Sequence, residues 1–399
     1  MSGDNRGCAR PRSSRATSLE SVLESVSIPS GPAAAEIMPR LSRMLAGDGP
    51  ALLPVPADDP RETERLHDAL TPGTPIDDGI ALVVATSGTT GVPKGAMLSA
   101  SALVASATAT EERLGGPGSW LLALPAHHIA GMQVLLRSVL AGTSPVVMDV
   151  SGGFDPSALI DAVGSMSGPL RYTSLVPGQL VKAFQIPEAV AALASLDAVL
   201  LGGAATPVPL REKAHDAGIR LVRTYGMSET AGGCVYDGVP LRDTLVRIHD
   251  GRVVLGGKTV ASGYRGLPDH PAFAEPGWFR TDDAGTIVDG VLSISGRLDE
   301  AISTGGLTVV PQVVEAALIT HPAVLECAVV GLPDERLGQK IVVAVVASAP
   351  VTLADLRSHV AASLDITAAP RELFLLDSLP TRGPGKLNRA ELQTVLEKR

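Results

Sequence analysis

Short apolar runs alternate with longer amphipathic stretches along most of this chain. From Leu19 to about Leu70 the apolar positions fall at helical spacing, interrupted by prolines and glycines, and predict helix. IALVVA (Ile80–Ala85) predicts a short buried strand, Ser99–Leu114 a helix, and WLLALP (Trp120–Pro125) a strand running into a loop. PVVMDV (Pro145–Val150), YTSLVP (Tyr172–Pro177), AVLLGGA (Ala198–Ala204) and IRLVRTYG (Ile219–Gly226) predict further strands, with helical patterns such as Leu210–Ala217 between several of them. Strands and helices alternating at this spacing imply a largely parallel α/β sheet, with ligands expected beyond the strand ends. From Arg242 to Ser295 the texture changes to short strands and Gly turns (RVVLGG, VLSISG). After Asp299 a smaller unit follows: helix Pro311–Ile319, strands Glu326–Gly331 and Ile341–Ala347, helix Leu353–Leu364, strand Glu372–Leu376 and helix Arg389–Glu397. The expected fold is α/β. A large N-terminal domain (19–298) carries parallel-rich sheets with helices plus a small β segment, and a small α+β C-terminal domain (299–399) follows.

At 399 residues the chain has ample capacity for a buried core in two such units. The 33 basic and 42 acidic residues give a net charge of −9 without a basic block, which argues against a nucleic-acid partner. The apolar runs, even KIVVAVVASAP (Lys340–Pro350), are well short of a membrane span. Cys8, Cys234 and Cys327 are far apart and odd in number, which suits a reducing cytoplasm and offers no zinc spacing. Residues 1–18 are rich in Arg and Ser with almost no acid; they lack the apolar region of a secretory signal and read as a disordered tail.

The most informative string is TSGTTGVPKG (Thr86–Gly95), which begins where the first predicted strand ends. Gly88, Gly91 and Gly95 let the backbone approach a polyanion closely, Thr86, Ser87, Thr89 and Thr90 add donors, and Lys94 supplies a full positive charge. It is not the NTPase P-loop, because the spacing after Gly88 does not place the glycine that motif needs. Downstream, RTYGMSETAGG (Arg223–Gly233) ends a strand at Tyr225, then offers Gly226 for a turn, Ser228 for a phosphate oxygen and Glu229 as a hard carboxylate. Magnesium takes oxygen ligands and is often shared between one or two carboxylates and substrate phosphates, so one glutamate is enough. Ser228 and Glu229 equally suit the cap and first turn of a helix. The paired histidines of PAHHIAG (Pro125–Gly131) suit polar surface, satisfied core or a pocket.

These strings, in this order, resemble the adenylate-forming superfamily of acyl-CoA synthetases, adenylation domains and luciferases, from Ile80 to the end of the chain. The resemblance implies ATP/AMP binding by Thr86, Ser87, Gly88, Thr89, Thr90, Gly91, Lys94, Gly203, Ala204, Tyr225, Gly226, Met227 and Ser228. It implies magnesium on Glu229, which counts with Lys386 and His128 as catalytic. In WFRTDDAG (Trp278–Gly285) Asp283 matches the residue holding the ribose hydroxyls, with Asp282 where the family usually has Gly. In GRLDEAISTGG (Gly296–Gly306) Arg297 matches the second ribose contact, Asp299 the hinge, and Gly305 and Gly306 a turn facing the CoA thiol once the mobile C-terminal domain rotates. PTRGPGKLNR (Pro380–Arg389) carries Lys386, the position of the family's catalytic lysine.

For the acid, a pocket near His128, Ser174, Gly202 and Gly203 is polar enough for a carboxylate with further polar groups. RYTSLVPGQL, LLGGAA and YGMSETAGGCVYDGVPL resemble the short actinobacterial o-succinylbenzoate–CoA ligases of menaquinone synthesis. The implied partners are a small carboxylate, ATP and CoA, in a cytoplasmic protein for which a homo-oligomer is compatible. Another aryl or short acyl-CoA ligase, or an inactive nucleotide-binding regulatory protein, are the alternatives.

Overall fold

The structure, a computed structural model, describes residues 21–86, 92–382 and 386–398. The first sheet runs β1 (Leu23–Ile28), β2 (Ala51–Pro56), β3 (Ile80–Thr86) and β4 (Lys94–Ser99), parallel until β3 folds back on β4 as a hairpin. Helices α1 (Met38–Ala46) and α2 (Pro60–Leu70) connect its strands. The expectation of helix from Leu19 to Leu70 is therefore corrected: two strands lie within that stretch. Leu23, Val26 and Ile28 are the buried residues of β1, a spacing that mimics a helix face. β2 is a continuous buried run with two prolines, a composition that normally argues against a central strand. Pro54 and Pro56 lack N–H donors, and the β2–β3 ladder is the single pair Leu52↔Leu82.

Helix α3 (Ala100–Leu114) follows β4, with the Ser99 hydroxyl capping the Ala102 amide. The second sheet has seven strands: β5 (Ser119–Leu122), β6 (Val146–Val147), β7 (Arg171–Leu175), β8 (Ala198–Leu201), β9 (Leu221–Met227), β10 (Gly232–Tyr236) and β11 (Val239–Pro240). Their spatial order is β11-β10-β9-β8-β7-β5-β6, and β5 to β9 are parallel. Helices α4 (Ile129–Ala141), α5 (Pro156–Ser165), α6 (Pro177–Ala183), α7 (Pro187–Ala194) and α8 (Val208–Asp216) make the crossovers. One face packs with α1, α3, α4 and the first sheet around Leu41, Leu103, Leu135 and the tilted pair Trp120–Tyr172. The opposite face buries Leu159, Leu180, Leu193 and Ala214 from α5 to α8. Both faces of the central parallel strands are covered, which is why β8 (AVLL) reads as an unbroken apolar run.

The expected small β segment is an antiparallel sheet of β12 (Thr244–His249), β13 (Arg252–Gly257), β14 (Trp278–Val288) and β15 (Val291–Arg297). The last sheet comprises β16 (Ile302–Thr304), β17 (Leu307–Val309), β18 (Val324–Asp334), β19 (Gly338–Ala347) and β20 (Glu372–Leu375). Helices α9 (Pro311–Leu318) and α10 (Leu353–Ala361) cover one face of it. A ribbon of β21 (Thr381–Arg382) and β22 (Lys386–Leu387) leads to α11 (Arg389–Glu397), whose Leu392 and Leu396 close the other face. Cys234 is buried and Cys327 half-buried, and burial pushes both thiols up to about 12. Residues 1–18, with Cys8 and the tail expectation, lie outside the described residues.

Candidate active site

Within the seven-stranded sheet the chain passes from β5 outward to β6, then crosses back to β7 and onward to β8 and β9. Crossovers therefore leave the carboxyl ends of β5 and β7 in opposite directions and open a crevice there, where open α/β sheets take their ligands. That edge gathers the expected acid-site residues. His127 and His128 end the loop after β5, with ring centroids 4.2 Å apart. The His128 carbonyl opens α4 by accepting from the Met132 amide, and burial holds His127 below the usual imidazole range. Ser174 is buried near the end of β7, opposite Leu200. Gly202 and Gly203 follow β8, and a Cβ at 202 would sit 2.3 Å from Thr224 Oγ1.

β9 ends in the segment Tyr225–Met227 and leads into a single tight turn, Ser228–Thr230, not a longer helix. The cap reading of Ser228 is thus corrected: the turn closes at Ala231 with φ 52°, and the chain returns at once as β10, antiparallel to β9. A Cβ on Gly226 would lie 2.1 Å from the Gly232 carbonyl oxygen, so only glycine admits this close return. The Ala231 carbonyl accepts from Ser106 Oγ (2.9 Å) and Gln133 Nε2 (2.7 Å), which fixes the end of the turn from α3 and α4.

This turn buries the Glu229 carboxylate, whose Oε1 accepts from the Tyr264 hydroxyl at 2.5 Å. Burial raises the carboxyl above its usual range, against the pull of Tyr264, Lys94 and Arg297. A buried anion with hard oxygen donors fits magnesium. Among the described residues no group of three or more His, Cys, Asp or Glu could hold a metal.

Lys94 is the first residue of β4 and pairs with Thr86 across the hairpin. The intervening Ser87, Gly88, Thr89, Thr90 and Gly91 lie outside the described residues. Lys94 Nζ is 3.1 Å from His270 Nε2 and 5.2 Å from the Tyr264 ring centroid. His270 meets Tyr264 edge-on at 4.8 Å. Sequence reading anticipated neither Tyr264 nor His270. A chain with only four tyrosines offered one clue, since each is an uncommon polar-tipped ring.

A second constellation adjoins. The Tyr225 hydroxyl donates to Asp283 Oδ2 at 2.7 Å, and Arg297 Nη1 is 3.8 Å from Asp283 Oδ1. Asp283 and Arg297 are register partners across β14 and β15. Burial raises the Asp283 carboxyl despite Tyr225 and Arg297. Arg297 also forks onto Asp299 at 2.8 and 2.6 Å. Burial works against the Arg297 charge, but Asp299, Asp283 and Asp282 outweigh it and hold the guanidinium above its ordinary value. Asp282 lies in a strand, not a turn; successive strand residues face opposite sides, so it points outward to Arg252 at 2.9 Å while Asp283 points in.

Gly305 and Gly306, with φ 58° and 82°, form the two-residue turn between β16 and β17, where positive φ is needed at both positions. The Gly305 amide donates to the Leu337 carbonyl at 2.9 Å, so this turn is anchored within the C-terminal sheet. Lys386 stands on β22, paired with Arg382. The structure thus joins Lys94 to Glu229 through Tyr264, joins Tyr225, Asp283, Arg297 and Asp299 by direct contacts, and gathers His128, Ser174, Gly202 and Gly203 at the carboxyl ends of β5, β7 and β8.

The family profile described as AMP-binding enzyme matches residues 24–264, and the profile of its C-terminal domain matches residues 313–386. The chain belongs to the AMP-binding enzymes. It is 56% identical over 377 residues, 93% of this chain and 97% of the other, to a probable 2-succinylbenzoate–CoA ligase of Mycobacterium tuberculosis. It is 35% identical to a sulfoacetate–CoA ligase of Cupriavidus necator, over 82% of this chain and 69% of that one. Among solved structures, the o-succinylbenzoate CoA synthetase of Bacillus subtilis in complex with its acyl-adenylate intermediate superposes with a TM-score of 0.73 at 25% identity, covering 94% of this chain and 89% of that one. As an AMP-binding enzyme the chain carries a large α/β region followed by a small α+β unit, as its sequence pattern led us to expect.

Proposed function

We propose that this AMP-binding enzyme is an ATP-dependent, AMP-forming carboxylate–CoA ligase whose acid is o-succinylbenzoate, placing it in menaquinone synthesis. The observation that carries the chemistry is the path Lys94–Tyr264–Glu229 beside Tyr225–Asp283–Arg297: a cation, a buried hard carboxylate and a polar clamp around the carboxyl end of β9. The near full-length similarity to the mycobacterial relative supports the acid.

In the first step the substrate carboxylate attacks the α-phosphorus of ATP, and the bond to pyrophosphate breaks. Two anions meet, so positioning and fixed positive charge do the work. Lys94 and the Ser/Thr/Gly loop cradle the departing pyrophosphate, Lys386 bridges carboxylate and α-phosphate, and Asp283 with Arg297 holds the ribose. Glu229 would hold magnesium, which when bound neutralises phosphate charge. His128, Ser174, Gly202 and Gly203 line the acid crevice. In the second step the CoA thiol attacks the acyl carbonyl and AMP leaves; rotation of residues 299–399 about Asp299 withdraws Lys386 and brings Gly305 and Gly306 forward.

The test is carboxylate-dependent pyrophosphate release with ATP and magnesium, comparing o-succinylbenzoate with benzoate and short fatty acids, with and without CoA. Preference for o-succinylbenzoate, completed to thioester by CoA, is expected. Preference for another acid discards the pathway and keeps the mechanism, an outcome the sulfoacetate–CoA ligase relative makes concrete. A nucleotide-binding regulator is the less favoured reading, because a sensor needs no lysine at 386. Among the described residues no helix is long and apolar enough to cross a membrane, and we place the enzyme in the cytoplasm.

A further inference from the structure

The ring of His270 faces two donors at once. The Ala272 amide donates to Nδ1 at 3.2 Å, and Lys94 Nζ lies 3.1 Å from Nε2. A neutral imidazole has one free lone pair, since its other nitrogen carries the proton, so it cannot accept both bonds in full. His270 is therefore a yielding acceptor for the Lys94 ammonium, weaker than any phosphate oxygen. The lysine is nevertheless held against the Tyr264 ring, whose hydroxyl reaches Glu229. A protonated ring would have no lone pair and would repel the ammonium.

We propose that His270 is a positioning residue for Lys94: in its neutral form it aims the ammonium at the mouth of the β3–β4 hairpin and gives it up to the terminal phosphates of ATP. This rests on the ligase reading of Lys94 as a phosphate-binding residue. The charged groups acting on His270 are Lys94 from β4 and Asp282 from β14; partial burial and Lys94 hold the imidazole below its usual range, against the pull of Asp282. The ring is thus neutral at pH 7, and as pH falls it protonates and pushes Lys94 away.

Binding of magnesium with α,β-methylene-ATP and, separately, of AMP is measured by titration calorimetry for the wild type, His270→Gln and His270→Phe, from about pH 8 down to about pH 5.5. At pH 7.5 His270→Phe, which keeps a ring against Tyr264 but offers no acceptor, should weaken the triphosphate analogue by about tenfold, the scale of one charge-assisted hydrogen bond. His270→Gln, whose amide oxygen can accept from Lys94, should stay within about twofold of the wild type at pH 7.5 and lose the decline in affinity that the wild type shows on acidification. AMP, which lacks the terminal phosphates, should bind all three alike. Equal analogue affinity in His270→Phe, an unchanged pH profile in His270→Gln, or parallel loss of AMP binding overturns the proposal. No binding of the analogue by the wild type overturns the ligase reading itself.

Discussion

The Tyr264 hydroxyl donates to Glu229 Oε1, and it does so across 35 residues of sequence inside a buried pocket. Burial disfavours the charged form of Glu229, so the folded protein holds this proton to higher pH than the unfolded chain does. The carboxyl accordingly costs stability as pH rises from the ordinary carboxylate range through its raised folded value. Removing the charge should relieve that cost. Glu229→Gln keeps an oxygen for Tyr264 and is expected to melt at the same or a higher temperature at pH 7, while pyrophosphate release falls by roughly a hundredfold or more. Tyr264→Phe removes the donor, should cost about 1–2 kcal/mol, and should move the acid limb of activity to higher pH. Thermal melts and pH–rate profiles of the two variants check both; a Glu229→Gln protein that is active, or much less stable, contradicts the assignment.

Lys386 and Asp299 should separate the two half-reactions. Lys386→Ala is expected to abolish adenylate formation yet leave thioester formation from supplied acyl-adenylate largely intact. Asp299→Pro stiffens the backbone beside Arg297, whose fork holds the Asp299 carboxylate, and should do the reverse. Each half-reaction is assayed alone, by pyrophosphate release and by thioester formation. Equal loss of both steps in Lys386→Ala would count against the split, and normal thioester formation in Asp299→Pro against the pivot.

Gly226 is required by geometry rather than flexibility. A Cβ there would meet the Gly232 carbonyl at 2.1 Å and the Gly233 Cα at 2.7 Å, both backbone atoms that cannot swing aside. Gly226→Ala should therefore splay β9 from β10 and displace Glu229, at a cost of about 2–3 kcal/mol, in the range of overpacked cores. Gly218→Ala makes a useful contrast: it strains a positive φ, which Gly226 does not have, but its Cβ meets nothing within 4 Å. Denaturant melts should rank Gly226→Ala as less stable, with ATP-dependent activity lost only in that variant.

Much of this architecture was legible because the signals were local. α11 begins at Arg389 and ends at Glu397, as its apolar spacing indicates; β8 lies within the strand predicted for it, while β7 starts one residue before its predicted strand and β9 ends one residue after. β1 and β2 were hidden because a strand with irregular burial and a strand with two prolines both violate the period that sequence reading relies on. The site divides in the same way. Tyr225, Glu229, Asp283 and Arg297 sit in strings whose residue types match their chemistry. Tyr264 and His270 lie in an irregular segment between β13 and β14, and only folding brings His270 to Lys94, 176 residues away. No local pattern encodes a contact of that separation.

The strand leading to Asp299, the proposed pivot, is tied to α9 by the Gln312 side chain. Gln312 accepts from the Arg297 amide at 3.1 Å and donates to Glu300, so its amide spans Asp299 from either side. Glu300 in turn accepts from Arg389 Nε at 2.7 Å, and Arg389 opens the helix that follows Lys386. Gly296 makes the clasp tight: a Cβ there would lie 2.4 Å from both Gln312 Oε1 and Val310 Cγ1. Any rotation of the C-terminal unit about Asp299 must part Gln312 from Arg297. Gln312→Ala removes both bonds, so the arrangement seen here loses roughly 1–2 kcal/mol relative to any rotated one. Hydrogen exchange of the Arg297 amide should then quicken by about tenfold or more, and the two half-reaction rates should shift in opposite directions. Unchanged exchange at Arg297, with both rates scaled alike, would show that Gln312 merely packs the joint and does not restrain it.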